Sequence, residues 1–531
     1  LVITFIHVMY NSKLSAAAPS PNWSREISIQ KTSFNRNPLV SDIDENILFL
    51  DQAYGDEKGL KIKLFNNKME LLKEEKVYIP QLEFNTTSSQ EVFLDGKYIL
   101  WRDNNKNTVY RGEISDDLKT VQVKEIMNNV EKLDYYSDGK KGILAFLKKD
   151  GMISICRGDG ETIFDGEISG NIKDLKVYSQ DENIYLQTVN YNNKTGIKEY
   201  RISQCRDGIM SDAVTVWEIS EIGMKVRDFV LCGDGENIYS LITTQGKGAN
   251  NFGYILAGYN KSTEKSFEPV KFNDYPDMGL GYFYSNPVVI GENENGIEIL
   301  VGGTTYLDLY SREKTNIVKV GLNRKGINKT ELISKTKGLS IKPSYVKGKD
   351  GEVCFWLEPD EGKYFKVMAA TTDKSVLLST TKINSNDVKE ALGKEVPSLT
   401  SYLLLISFAG RFLPLLPVLG WLIYIFSINE RIEKSGYKYL IIGIFIYLFF
   451  QIITINSFYK PEAVLYMPKL LTFTGSKIII PTVFSLVGLC AVIMSRKKDR
   501  IKQPYKQYIL FLTFAYILMN YLYTPYLFIN N

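Results

Sequence analysis

One phrase recurs seven times in the first two thirds of the chain: an acidic or amide turn followed at once by an apolar strand. The turns begin at Asp44, Asp95, Asp138, Asp181, Asp234, Asn295 and Asp350, at intervals of 43 to 61 residues. A regular return of this kind means that one small unit of structure is built repeatedly, each too small to bury its own apolar face alone. Between the turns, residues 24–385 show no long helical period. Short runs of alternating apolar and polar residues, bounded by Gly, Asn and Asp, predict β-strands. The third unit divides into four of them, 132–137, 142–148, 151–157 and 161–167. A second echo supports the register. Ile153, Ser154, Cys156 and Arg157 of the third unit match Ile202, Ser203, Cys205 and Arg206 of the fourth.

Seven such four-stranded units resemble a bacterial β-propeller at the level of fold. No particular family is indicated, because the Gly-His and Trp-Asp pairs of the WD repeat and the Asp box of sialidase-like propellers are absent. The resemblance implies a ring of blades with Trp101, Trp217 and Trp356 as filling between them. It also implies that residues 23–30 add the outermost strand of the last blade.

Behind the repeat the composition changes. From residue 400 onward 13 Lys and Arg stand against 4 Asp and Glu, whereas residues 1–399 hold 51 against 56. Four stretches, 402–428, 439–455, 478–494 and 508–529, contain no Asp, Glu or Lys. Each has about the length needed to cross roughly 30 Å of hydrocarbon as a helix. The expectation is therefore an all-β extracytoplasmic domain, a β-propeller of seven four-stranded blades, over 24–385, a linker over 386–400, and an all-α domain of four transmembrane helices over 401–531. The basic residues Arg496, Lys497, Lys498, Arg500, Lys502 and Lys506 fall between the third and fourth stretches and predict a cytoplasmic loop. That orientation puts the β-domain and the C-terminus outside, in a multi-pass plasma-membrane protein. Residues 1–18 agree: an apolar run over 1–10, then Lys13, then Ser15-Ala16-Ala17-Ala18, resembles a secretory signal peptide. Within the apolar stretches Arg411 is expected at the outer boundary, and Gln451 and Asn520 as helix–helix hydrogen-bonding groups.

The residue inventory removes much chemistry. The chain has a single histidine, His7, in the segment expected to be cleaved. Triads, zinc sites and haem ligation built on imidazole are excluded from the rest. No P-loop and no Gly-x-Ser-x-Gly occurs. Asp42, Asp44 and Glu45 cluster oxygen ligands without the spacing of a calcium loop; the turn reading suits them better. The ten arginines of the repeat are scattered singly. No catalytic residue and no cofactor is assigned, and nothing points to nucleic acid. The expected function is a binding, scaffold or receptor-like module at the cell surface. Its expected partners are the lipid bilayer, another membrane protein, or a cell-envelope peptide or glycan. Two alternatives stay open: an extracellular glycan hydrolase or lyase acting through paired carboxylates, and an accessory subunit of a membrane transport complex.

Overall fold

The computed structural model describes residues 2–52, 59–80, 82, 91–138, 142–220, 224–246, 252–272, 280–293, 296–305, 314–336, 338–348, 351–362, 364–393, 433–459, 464, 467–497 and 503–527. The chain divides into two compact units. One is Ala18–Lys382; the other combines Leu1–Ala17 with Ile383–Asn531.

The first unit is a seven-bladed β-propeller. Each of its seven sheets is an antiparallel meander of four strand positions, with the first strand innermost. Blade 1 runs from Leu39–Ile43 to Leu71–Val77, blade 2 from Val92–Asp95 to Val121–Met127, and blade 3 from Val130–Ser137 to Thr162–Glu167. Blade 4 runs from Ile172–Gln180 to Val214–Ser220, blade 5 from Met224–Gly233 to Val270–Phe272, and blade 6 from Leu280–Phe283 to Gly326–Leu332. Blade 7 takes Ile341–Lys347, Glu352–Pro359 and Phe365–Thr371 from the end of the unit, and its outermost strand, Ile27–Thr32, from the beginning. Neighbouring blades touch in chain order, and Ile341–Lys347 of blade 7 meets Leu39–Ile43 of blade 1, so the ring closes. The expected closing strand is present, pairing Ile27 with Ala369 and Thr32 with Phe365.

At Asp44, Asp95, Asp181 and Asp234, where it falls on described residues, the recurring acidic phrase is the hairpin turn between the innermost and second strands of its blade. Asp44 and Glu45 take φ of 46° and 71°, and Asp181 and Glu182 take 51° and 68°. Two successive left-handed residues make the tight turn whose twist matches the flanking strands. The strand that follows is buried on both faces, because a blade has a neighbour on each side. Hence residues 47–51 and 143–147 read as unbroken apolar-rich runs and are all buried. The outermost strands alternate instead, as Leu71–Val77 shows. Trp101 and Trp356 are fully buried fillers, Trp101 between blades 1 and 2, and Trp356 beside Trp23, Leu300 and Ile317. Trp217 lies against Tyr200, with ring centroids 5.2 Å apart. Cys156, Cys205, Cys232 and Cys354 are buried free thiols.

The second unit corrects the expectation of a four-helix membrane domain. Among the described residues one helix, Ser476–Arg496, is long and apolar enough to cross a membrane. In the helix Glu433–Thr454 the apolar portion is the shorter Leu440–Phe449. The described part of the stretch 508–529, as far as Leu527, is no single regular helix. It comprises Pro504–Leu512, a π-helical turn Thr513–Ile517, and Leu518–Leu527. The stretch 402–428, with Arg411, lies outside the described residues. The physical reason is directional. Tyr508, Phe511 and Ala515 recur at helical spacing and are buried against Leu440, Ile444 and Tyr447. Counting apolar residues along the sequence does not distinguish such a packed stripe from a lipid-facing surface. The multi-pass plasma-membrane placement, derived from four spans, falls with them. So do the cytoplasmic assignment of the basic loop and the extracytoplasmic assignment of the propeller.

Residues 1–18 form a helix over Val2–Ala16. His7 is fully buried there, with Nε2 3.1 Å from the Leu522 carbonyl oxygen and its ring edge-on to Tyr521 and Tyr526. Gln451 accepts a hydrogen bond from the Ser485 hydroxyl at 3.1 Å, joining two helices. Asn520 donates to the Tyr516 carbonyl one turn earlier in its own helical run.

Candidate functional site

Two places in the propeller concentrate polar side chains. The first lies among the innermost strands of blades 3, 4 and 5. Each carries a one-residue bulge near its start, between Val130 and Lys132, Ile172 and Asp174, and Val226 and Asp228. A bulge re-aims the side chains beside it. Here the result is a charge network. Lys176 Nζ lies 3.2 Å from Asp134 Oδ1, and the other Asp134 oxygen accepts from the Val177 backbone N–H at 2.8 Å. Lys132 stands 4.0 Å from Asp174. Asp228 accepts from the Asn286 side chain at 2.9 Å. Burial pulls the Lys176 ammonium down, but Asp134, Asp228 and Asp174 outweigh it, so its pKa is raised and it stays protonated. Sequence reasoning passed over this network. The signal was present as an apolar–charged–charged–apolar run in three successive units, at 130–133, 172–175 and 226–229.

The second place is an open cleft of about 290 Å³ between blades 2 and 3, lined by Asp95, Tyr98, Arg111, Tyr135, Arg157 and Asp159 among others. Strand geometry assembles it. Tyr98 and Leu100 share a face of one strand, since side chains alternate. Arg111 is the cross-strand partner of Leu100, so its guanidinium reaches diagonally over Tyr98, 3.8 Å from the ring centroid. The same guanidinium donates to the Gly158 carbonyl at 2.9 Å, tying blade 2 to a turn of blade 3. Tyr135, on the innermost strand of blade 3, donates its hydroxyl to Asp95 at the end of the innermost strand of blade 2. Burial, then Asp95, pushes the Tyr135 pKa up, so it remains a donor. Gly142 makes room for that hydroxyl, because a Cβ there would collide with it. Arg157 closes the third strand of blade 3 and pairs with Glu161. Asp159 follows in the turn, where its carboxylate accepts from the Glu161 backbone at 3.0 Å.

The expected oxygen cluster behaves as a turn. Asp44 and Glu45 are its two corner residues, and burial together with these neighbouring charges raises the Asp42 carboxyl. Among the described residues no group of three or more His, Cys, Asp or Glu could hold a metal ion. Of the basic residues expected in one loop, Arg496 is exposed at the end of Ser476–Lys497, Lys497 closes that helix, and Lys506 Nζ sits 5.8 Å from the Tyr505 ring centroid. Lys498, Arg500 and Lys502 lie outside the described residues.

The class defined by the sheet order is the seven-bladed β-propeller. No protein-family model matches the chain, and no curated protein matches it. Solved structures with a similar course include oligogalacturonate lyase from Vibrio parahaemolyticus, with 13% identity and a TM-score of 0.38, covering 66% of this chain and 99% of that one. Another is the β-propeller domain of the Trilobed protease from Pyrococcus furiosus, with 12% identity and a TM-score of 0.36, covering 64% and 94%. A third is BBS1N in complex with ARL6DN, with 10% identity and a TM-score of 0.37, covering 65% and 96%. These likenesses concern the fold alone and assign no activity.

Proposed function

We propose that the protein is a binding scaffold whose propeller engages a ligand at the cleft between blades 2 and 3. The observation that carries this reading is the meeting of Arg111 and Arg157, from different blades, in one open cleft with Asp95 and Asp159. Most of these groups are already held by protein contacts before any ligand arrives, which lowers the ordering cost of binding. One further observation favours binding over imidazole-based catalysis: the propeller unit contains no histidine.

The test is capture. Immobilised full-length protein is offered a panel of soluble glycans and peptides, in parallel with Arg157→Ala. The Arg157 side chain is 60% exposed, so the substitution spares the core. Retention that disappears in the variant supports the proposal. Equal retention by both proteins, or none by either, overturns it.

A further inference from the structure

We infer that the cleft takes one ring of a neutral glycan, a polyhydroxylated unit without carboxylate, sulfate or amine. This deepens the binding reading above and rests on it. Size is the first argument. At about 290 Å³ the cleft stands at the lower edge of small-molecule sites, which span roughly 300–1,000 Å³. That suits a single ring-sized unit better than an extended peptide segment.

Charge is the second argument. Arg111 and Arg157 face Asp95 and Asp159 within the lining, and Arg157 is also paired with Glu161 beside it. A carboxylate ligand would meet two guanidinium groups and two repelling acids, and an amine would meet the reverse. A hydroxyl escapes both penalties, because it donates to a carboxylate and accepts from a guanidinium through the same oxygen. Neighbouring hydroxyls on one ring can therefore address the acid and the base together.

Rigidity is the third argument. The Arg111 guanidinium is held by its stack on Tyr98 and by the Gly158 carbonyl. Asp95 is held by the Tyr135 hydroxyl. Planar polar groups held in fixed positions offer a preorganised lining for the hydroxyls of a sugar ring.

Saturation-transfer NMR on the full-length protein tests this, using cellotriose and chitotriose as neutral probes, trigalacturonate as the anionic probe and glucosamine trimer as the cationic one. The neutral probes should bind with an affinity on the order of 1 mM, as expected for so few contacts. Their signal should be insensitive to added salt, since no net charge is matched. It should fall about tenfold or more in Arg157→Ala and in Asp159→Asn, both exposed positions. Preferential binding of trigalacturonate or the glucosamine trimer, weakened by salt, overturns the neutral class and leaves the binding scaffold standing. Capture of peptides alone in the preceding experiment, with no saccharide signal here, likewise overturns it. Absence of every ligand from both experiments removes the two proposals together.

Discussion

The Thr32 hydroxyl donates to Asp51 Oδ1 at 2.7 Å. Thr32 ends the N-terminal strand that completes blade 7, and Asp51 lies on the second strand of blade 1. This one hydrogen bond therefore links the last blade of the ring to the first. Gln30 donates to the other Asp51 oxygen from the same closing strand. The closure is thus held in two ways, by the backbone ladder to Phe365–Thr371 and by side chains reaching across to the neighbouring blade.

That carboxylate makes the seam respond to pH. Burial pushes the Asp51 pKa up to about 6, against the hydrogen bonds from Thr32, the Gln52 backbone and Gln30. The folded state then binds this proton more tightly than the unfolded chain. The stability linked to it is full below about pH 4 and is lost as pH rises through about 6. We predict that Asp51→Asn, which keeps an acceptor for Thr32, removes on the order of 3 kcal/mol of this pH dependence between about pH 4 and 7. Urea unfolding followed by tryptophan fluorescence at several pH values checks it. Parallel pH profiles for wild type and variant would contradict the prediction.

The second prediction concerns Lys176 and Asp134. Asp134 is 6% exposed, so removing its cation leaves a charge stranded in the inter-blade packing. Lys176→Met should cost about 3 kcal/mol. The figure sits at the low end for a buried pair because the Lys176 side chain keeps 28% exposure. Adding Asp134→Leu should restore much of the loss, since the pair costs desolvation that an apolar replacement does not. A double-mutant cycle measures the coupling. Additive losses would show that the two residues do not stabilise each other.

Gly112 gives a third prediction. A Cβ there would stand 2.7 Å from Val121 Cγ1 and 3.1 Å from the Trp101 ring. Both neighbours belong to the packed core of blades 1 and 2. Gly112→Ala should destabilise by about 1–3 kcal/mol through overpacking. Gly96→Ala is the control for backbone strain alone, with φ of +52° and nothing within 4 Å of its Cβ. Its expected cost is about 1 kcal/mol. Thermal unfolding of the two variants should rank them in that order.

Much of the propeller was legible because its signals are local. Alternation along a strand and left-handed residues at a turn depend on neighbours a few positions away. The third blade illustrates this: the expected strands 132–137, 142–148, 151–157 and 161–167 appear as Val130–Ser137, Gly142–Lys148, Met152–Arg157 and Thr162–Glu167. The C-terminal helices misled for a related reason. Their composition is apolar, but which side of each helix is packed depends on the other helices, as the burial of Tyr508 and Phe511 against Ile444 and Tyr447 shows.

What the chain determined by itself was the repeat: seven turns at near-regular intervals, strands between them, and no imidazole chemistry within the ring. What only the tertiary structure decided was company. Arg111 and Arg157 are isolated in the sequence, and so are Asp95 and Tyr135. They meet because two blades pack face to face in one register, and that register is set by the summed burial of both sheets, a quantity no short window of sequence contains.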